Sequence, residues 1–248
     1  MNFYSKSLVS FVVLFAAYSA CFGQEITETS DIDFISIYNE TKEKYVVDPL
    51  IQNGVYYENP YFNAQGHQFF RDGKFHEGSI VFREKQFEGV RLKYDIFNQQ
   101  LIINQDPDMH MQVNLLPGNL VSEFHTNGSY FKSIALEDDA LRYYQVMYES
   151  AEISCYYYWH KNRSESHEAG EYLIYVFSEP KQKSYIKIED LTSRYRNNRS
   201  FVKCLPEGVK SQVKTYMKTN KIDINEADKY ALEELFSFCQ LTISQAKK

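Results

Sequence analysis

From Val55 onward apolar and polar residues alternate with a period of two, the rhythm of strands half-buried in an antiparallel sheet. The clearest stretch is VRLKYDIFNQQLII at 90–103. Val90, Leu92, Tyr94 and Ile96 fall on one face, and Arg91, Lys93 and Asp95 on the other. Asn98-Gln99 supplies a tight turn and Leu101 to Ile103 returns beside the first strand, so the ribbon reads as a hairpin. The rhythm continues through MHMQVNLL, a Pro117-Gly118-Asn119 turn, LVSEF, an Asn127-Gly128 turn and SYFKSIAL. RYYQVMYES, EISCYYYWH, EYLIYVFSE and SYIKIED follow. No helical pattern intervenes, so neighbouring strands are expected to pair as a meander of about eight to ten strands, large enough to curl or to wrap around something.

The period changes after Pro206-Glu207, a pair suited to opening a helix. Val209, Val213, Tyr216 and Met217 recur at helical spacing, and Asn220 can end that helix. Asn225, with Asp228 three residues on, can cap a second helix whose apolar stripe is Leu232, Leu235, Phe236 and Cys239. LTISQAKK, 241–248, reads as a frayed tail. Upstream, SDIDFISIYNETKEKY at 30–45 has Ser30 or Asp31 as a cap and reads as a short helix, although its alternation would also suit a strand. The expected fold is mainly β within the α+β class: a large curled antiparallel meander or partial barrel, with a short N-terminal helix and two C-terminal helices packed on it. Those helices are expected to cover the apolar face that carries Val90, Leu92 and Tyr94. The segments would be 24–53 for the N-terminal helix and linker, 54–203 for the sheet and 204–240 for the helices of the same domain.

The first 23 residues are of another kind. Lys6 supplies a positive start, Leu8 to Ala17 an apolar run and Cys21-Phe22-Gly23 a small-x-small ending, the layout of a secretory signal peptide. An uncleaved anchor and a lipid-attachment box at Tyr18-Ser19-Ala20-Cys21 are the alternative readings. The apolar run of about ten residues is too short to span a membrane as a helix. The chain is therefore expected to be exported, to the periplasm, the outer envelope or the medium. Cleavage after Gly23 would leave 248 − 23 = 225 residues and, with Lys6 gone, move the formal charge from −6 to −7. That balance argues against nucleic acid as a partner, because phosphate neutralisation needs concentrated positive charge. Cys155, Cys204 and Cys239 would remain, allowing at most one bridge, with Cys239 expected to be an inert packed thiol.

Catalytic patterns are weak. Asn104, Asp106 and Asp108 start like a calcium loop, but Met109 and Leu115 stand where the turn glycine and closing glutamate belong. His160 and His167, with Glu165 and Glu168, offer ligand types without ligand spacing. His67, His76, His110 and His125 occur singly, and no nucleophile elbow is present. Neither a metal nor a cofactor is expected. Lys210, Lys214 and Lys218, flanked by Lys203 and Lys221, make a basic stripe that reads as a solvated helix face, or functionally as a contact for an anionic partner such as lipid head groups. The sequence has 21 tyrosines and 18 phenylalanines, and CYYYWH at 155–160 is its densest aromatic run. Alternation separates Tyr156 and Tyr158 from Cys155, Tyr157 and Trp159. Tyr156, Tyr158 and Trp159 are the candidate ligand contacts, with a sheet core as the competing explanation.

Asn53-Gly54 with Tyr57, Gly66-His67 with Phe69, and Val90, Leu92, Tyr94 and Asp95 form N-G-x-x-Y, G-H-x-F and V-x-L-x-Y-D segments. In these the chain resembles a group of exported bacterial sheet proteins of uncharacterised function, and the resemblance carries no activity. A signal-bearing meander curling over helices also resembles, in architecture alone, the half-barrels of periplasmic lipoprotein carriers. The expected function is a non-catalytic envelope protein acting by binding or structural contact. A carrier of an apolar, lipid-like ligand between sheet and helices is the alternative, and a hydrolase with an unrecognised site the second alternative.

Overall fold

Thirteen strands and three helices make up a computed structural model that describes residues 55–106, 111–115, 120–167 and 173–247. All of these lie in one compact unit, Val46–Lys248. The expected signal peptide, the lipid box at Cys21 and the N-terminal helix lie outside the described residues, as does most of the calcium-like loop.

The strands are β1 (Val55–Tyr56), β2 (His76–Phe82), β3 (Lys85–Asp95), β4 (Gln100–Asp106), β5 (Met111–Leu115), β6 (Val121–Thr126), β7 (Ser129–Ile134), β8 (Arg142–Glu149), β9 (Ile153–His160), β10 (Arg163–His167), β11 (Leu173–Phe177), β12 (Lys181–Ile188) and β13 (Leu191–Tyr195). Eleven of them form one open antiparallel sheet in the order β1-β5-β4-β3-β2-β6-β7-β8-β9-β12-β13. The sheet is thus a curled meander in two arms. β2 to β5 run outward in sequence, and the chain then returns to pair β6 with β2 before β7, β8 and β9 run out the other way. β10 and β11 leave between β9 and β12 as a separate hairpin. A parallel bridge from Gln65 to Val176 ties that hairpin to the segment before β2.

The curl can be measured. β3 and β8 are four strand spacings apart, about 19 Å in a flat sheet. Yet the rings of Tyr94 and Tyr143 have centroids 5.7 Å apart. Phe124 stacks on Phe131 at 4.7 Å, and Tyr94 meets both edge-on. Ile80, Val90, Leu92, Ile96, Leu101 and Ile103 join them in one buried cluster. At Gly78, paired with Thr126 of the neighbouring β6, a Cβ would lie 1.9 Å from the His125 carbonyl oxygen, so only glycine fits.

The helices are α1 (Asn198–Cys204), α2 (Glu207–Thr219) and α3 (Lys229–Ala246). α2 opens after Pro206 as the sequence indicates and buries Val209, Val213 and Met217. α1 was not expected. Its periodicity is too short to register, but Asn197 and Ser200 form a capping box, each side chain accepting from the other's backbone N–H. The second expected helix is capped by Asp228 rather than Asn225. Asn225 instead donates its Nδ2 to the Arg196 carbonyl at 3.1 Å. The predicted frayed tail is also corrected: α3 continues to Ala246 because Thr242 and Ile243 extend the buried stripe of Leu232, Leu235, Phe236 and Cys239. The helices cover Ile153, Cys155, Tyr157, Ile186 and Tyr195, the inner face of β9, β12 and β13. They do not cover the β3–β4 hairpin, whose apolar face packs across the curl against Phe124, Phe131 and Tyr143 of β6 to β8. The expectation that the C-terminal helices would cover Val90, Leu92 and Tyr94 is therefore wrong, although those residues are core.

Candidate functional site

Two cores meet at one side chain. Trp159 packs at once against the aromatic cluster inside the curl and the helix-covered cluster on β9, β12 and β13. Strand alternation puts it there: Cys155, Tyr157 and Trp159 point inward from β9 toward the helix-covered cluster. A cleft of about 330 Å³ opens at this seam. Met147, Tyr157, Trp159, Ile224 and Leu232 supply an apolar lining, and Phe70 closes the side toward the first arm.

The tryptophan is held rigidly. Its Nε1 donates to Gln145 Oε1 at 2.7 Å, and Gln145 Nε2 donates to Ser129 Oγ at 3.3 Å. Arg71 donates to the same hydroxyl at 3.4 Å and to Asn127 Oδ1 at 3.3 Å. Phe70 leans on the indole at 5.6 Å and on Phe131 at 5.3 Å. Gln99 Nε2, from the β3–β4 turn, donates to the Trp159 carbonyl at 3.0 Å. Burial pushes the Tyr157 phenol up to about 12, so it remains a neutral hydroxyl. Arg71, Gln182, Asn225 and Lys229 form the polar part of the lining, which contains no carboxylate. Lys229 has one acidic neighbour, Glu233 at 3.6 Å, outside the cleft. An apolar floor with fixed donors and two cations suits a small ligand that has an oily body and a negative end.

The other two candidate residues lie elsewhere. Tyr156 and Tyr158 are on the outer face, where Tyr156 is buried with Tyr144 and Tyr185, and Ile134 and Leu136 pack over them. Tyr156 donates to Glu149 Oε1 at 3.1 Å. Tyr158 is half-buried, stacked on His160, with the Lys183 ammonium 5.5 Å from its ring. The structure therefore brings Trp159 into the cleft and keeps Tyr156 and Tyr158 away from it. Sequence reasoning missed Phe70 and Arg71, which reach the cleft from the loop before β2 and carry no local pattern.

Among the described side chains the histidines do not converge. His76 meets Asp72 at 2.8 Å, and His125 stacks on Tyr130. His67 is held below the usual range for its imidazole by burial and then by the Lys161 ammonium; Lys161 donates to the His67 carbonyl at 2.6 Å. Asp95, fully buried, has its carboxyl raised by desolvation, yet accepts from the Phe97 and Asn98 backbone N–H groups, which makes it the turn-former of the β3–β4 hairpin. Cys155, Cys204 and Cys239 are all free thiols. Burial drives Cys239 up to about 12 and Cys155 well above its ordinary value, so neither supplies a thiolate. Among the described residues no cluster of three or more His, Cys, Asp or Glu could hold a metal ion, and no helix is long and apolar enough to cross a membrane.

In comparisons with known proteins, no family model, no curated sequence and no solved structure matches this chain.

Proposed function

We propose that the protein is an exported, non-catalytic binding protein whose cleft at Trp159 takes a small ligand with an apolar body and an anionic group. The observation that carries this reading is the cleft itself. It sits where two cores fail to close on each other, it is lined by a rigidly hydrogen-bonded indole, and it holds Arg71 and Lys229 without a carboxylate. The leader-like first 23 residues support export. This function needs no reacting group, only complementarity.

Trp159 is the sole tryptophan, so its emission reports on the cleft alone. Anilinonaphthalene sulfonate, an aromatic anion, is a suitable probe: saturable quenching of Trp159 with energy transfer to the probe is expected. Ala227→Phe, which fills the lining without touching the Trp159–Gln145 bond, should abolish the transfer while the far-ultraviolet dichroism stays unchanged. Bound ligand should also raise the melting temperature, since it binds only the folded chain. If the emission of Trp159 is indifferent to saturating probe and native mass spectra show no retained small molecule, the binding reading is lost. Export is tested separately: the mature N-terminus should be Gln24.

A further inference from the structure

A second concavity lies between α1, α2 and the turn that follows α2, and it shares no lining residue with the Trp159 cleft. Its volume is about 610 Å³. Val202, Met217 and Ile222 give it an apolar floor. Around that floor stand Arg199 and Lys203 from α1, Lys214 and Lys218 one turn apart on α2, and Lys221 from the turn, all exposed. Asp223 is the single acid in the lining, and its Oδ1 already accepts from the Asn225 N–H at 3.0 Å. Among the described residues none of the five cations has an acidic partner within ion-pair distance. Lys210, which belongs to the same stripe in sequence, is different: it pairs with Glu207 at 2.6 Å and stays out of the groove.

The groove is built before anything enters it. The Asn198 side chain donates Nδ2 to the Ile222 carbonyl at 3.0 Å and accepts from the Ile224 N–H at 2.8 Å, which pins the turn to α1. The turn is a Schellman motif: Ile222 N–H reaches Met217 O at 2.9 Å, and Lys221 N–H reaches Lys218 O at 3.3 Å. Its left-handed residue is Lys221, with φ of +54°, where glycine is the ordinary choice. A lysine kept at a position that favours glycine places a further ammonium at the groove's mouth.

We propose that this groove docks the protein on an anionic bilayer, taking a lipid's negatively charged head group among the five cations and its first methylenes against Val202, Met217 and Ile222. Charge complementarity selects this occupant. In a chain with a formal charge of −6, a local excess of five cations over one acid turns this face toward a negative surface and the acidic remainder away from it. The apolar floor separates lipid from free phosphate or nucleic acid, which would leave that floor unused. Lysine and arginine stems can lie along apolar surface while their charged ends stay in the head-group layer.

The test is co-sedimentation of the full mature chain with vesicles of phosphatidylcholine alone or of phosphatidylcholine mixed with phosphatidylglycerol. Binding is expected only to the mixed vesicles and should weaken with salt. Arg199→Gln/Lys203→Gln/Lys214→Gln/Lys218→Gln should reduce it at least about tenfold. Lys74→Gln/Arg83→Gln/Arg91→Gln/Lys181→Gln removes the same charge elsewhere and should keep it. Lys221→Gly removes one ammonium at a left-handed position that glycine adopts without strain and should weaken binding without lowering the melting temperature. Inorganic phosphate should not compete at concentrations where dodecyl phosphate does. Equal binding by the two quadruple variants, equal binding to neutral and mixed vesicles, or tighter groove-dependent binding of an oligo-deoxythymidine than of mixed vesicles would each overturn the proposal. Trp159 energy transfer in the groove variant should match wild type, so this docking site and the cleft stand or fall separately.

Discussion

Between β2 and β7 the sheet covers its own inner face, whereas from β8 to β13 three helices are needed to cover it. The difference lies in the side chains. Tyr94 of β3 meets Phe124 of β6, Phe131 of β7 and Tyr143 at the start of β8 across the curl, so the middle of the sheet fills its own concavity with rings. The inner face of β9, β12 and β13 carries Ile153, Cys155, Tyr157, Ile186 and Tyr195, and these meet helices rather than an opposing part of the sheet. Val209, Val213, Leu232, Leu235, Phe236 and Cys239 fill the remaining depth from the helices. One part of the inner face is thus covered by the sheet itself and the other by helices. Trp159 stands where one solution gives way to the other, and the cleft is the space that neither fills.

Ending the chain after Arg196 removes α1, α2 and α3 together. The inner face of β9, β12 and β13 would then meet water. The loss should exceed the whole stability of about 5–15 kcal/mol expected for a domain, leaving no cooperative urea transition. A sharp transition in the shortened chain would mean that the first arm alone is the folding unit.

Phe124→Ala acts on the other half. It removes a ring stacked on Phe131 and in edge contact with Tyr94 and Tyr143, and should cost about 3–5 kcal/mol by urea unfolding. The thiols report whether the halves open together. Cys155 and Cys239, both free and buried, belong to the helix-covered core; the aromatic core contains no cysteine. If unfolding is one event, Phe124→Ala should speed alkylation of both thiols by the factor that its free-energy cost dictates, about a hundredfold or more. Unchanged alkylation would show two independently opening cores.

The parts of this comparison that the sequence displays are the local ones. Alternation from Val90 to Ile96 assigns the faces of β3 correctly, and Asn127-Gly128 marks a hairpin turn in which both residues take positive φ. Alternation also places Trp159 with Cys155 and Tyr157. Period two identifies a strand but not its neighbour, so the return of β6 to β2 was invisible, and with it the division into two arms. The depth between sheet faces is likewise non-local, which is why the helices were expected over the wrong hairpin. In the cleft, Trp159 was legible as an aromatic sharing a strand face with Cys155 and Tyr157, without the direction of that face; Phe70 and Arg71 were not legible, because a loop residue's destination depends on packing that no short window contains. The basic stripe was legible as charge, but only α1 turns Lys214 and Lys218 into one wall of a groove and leaves Lys210 outside it.

Lys221→Gly sharpens the account of the helical half. Relieving a left-handed non-glycine residue should add up to about 1 kcal/mol in thermal or urea unfolding, offset in part by the greater freedom of glycine in the unfolded chain. The sign is the informative quantity. A destabilised glycine variant would mean that the Lys221 side chain contributes to the fold, and the turn would then be structural before it is a docking feature.

The smallest effect concerns the outer face, where the connection from β7 to β8 carries Ile134 and Leu136 over Tyr144, Tyr156 and Tyr185. Arg142 donates to both Asp138 carboxylate oxygens, at 2.6 and 2.8 Å, and holds that carboxyl down at about 2. Since the folded value lies below the unfolded one, the pair contributes stability at neutral pH that is lost as the pH falls from about 4 toward about 2. The carboxylate is fully exposed, so solvent screening keeps the contribution small. Asp138→Asn should therefore melt slightly below wild type near neutrality, with the gap narrowing through that acid window. The absence of a gap at any pH would show that the connection is held by the packing of Ile134 and Leu136 rather than by the ion pair, and a gap that persists at the acid end would assign the cost to the uncharged contacts of Asp138, such as the hydrogen bond it accepts from the Ala140 N–H.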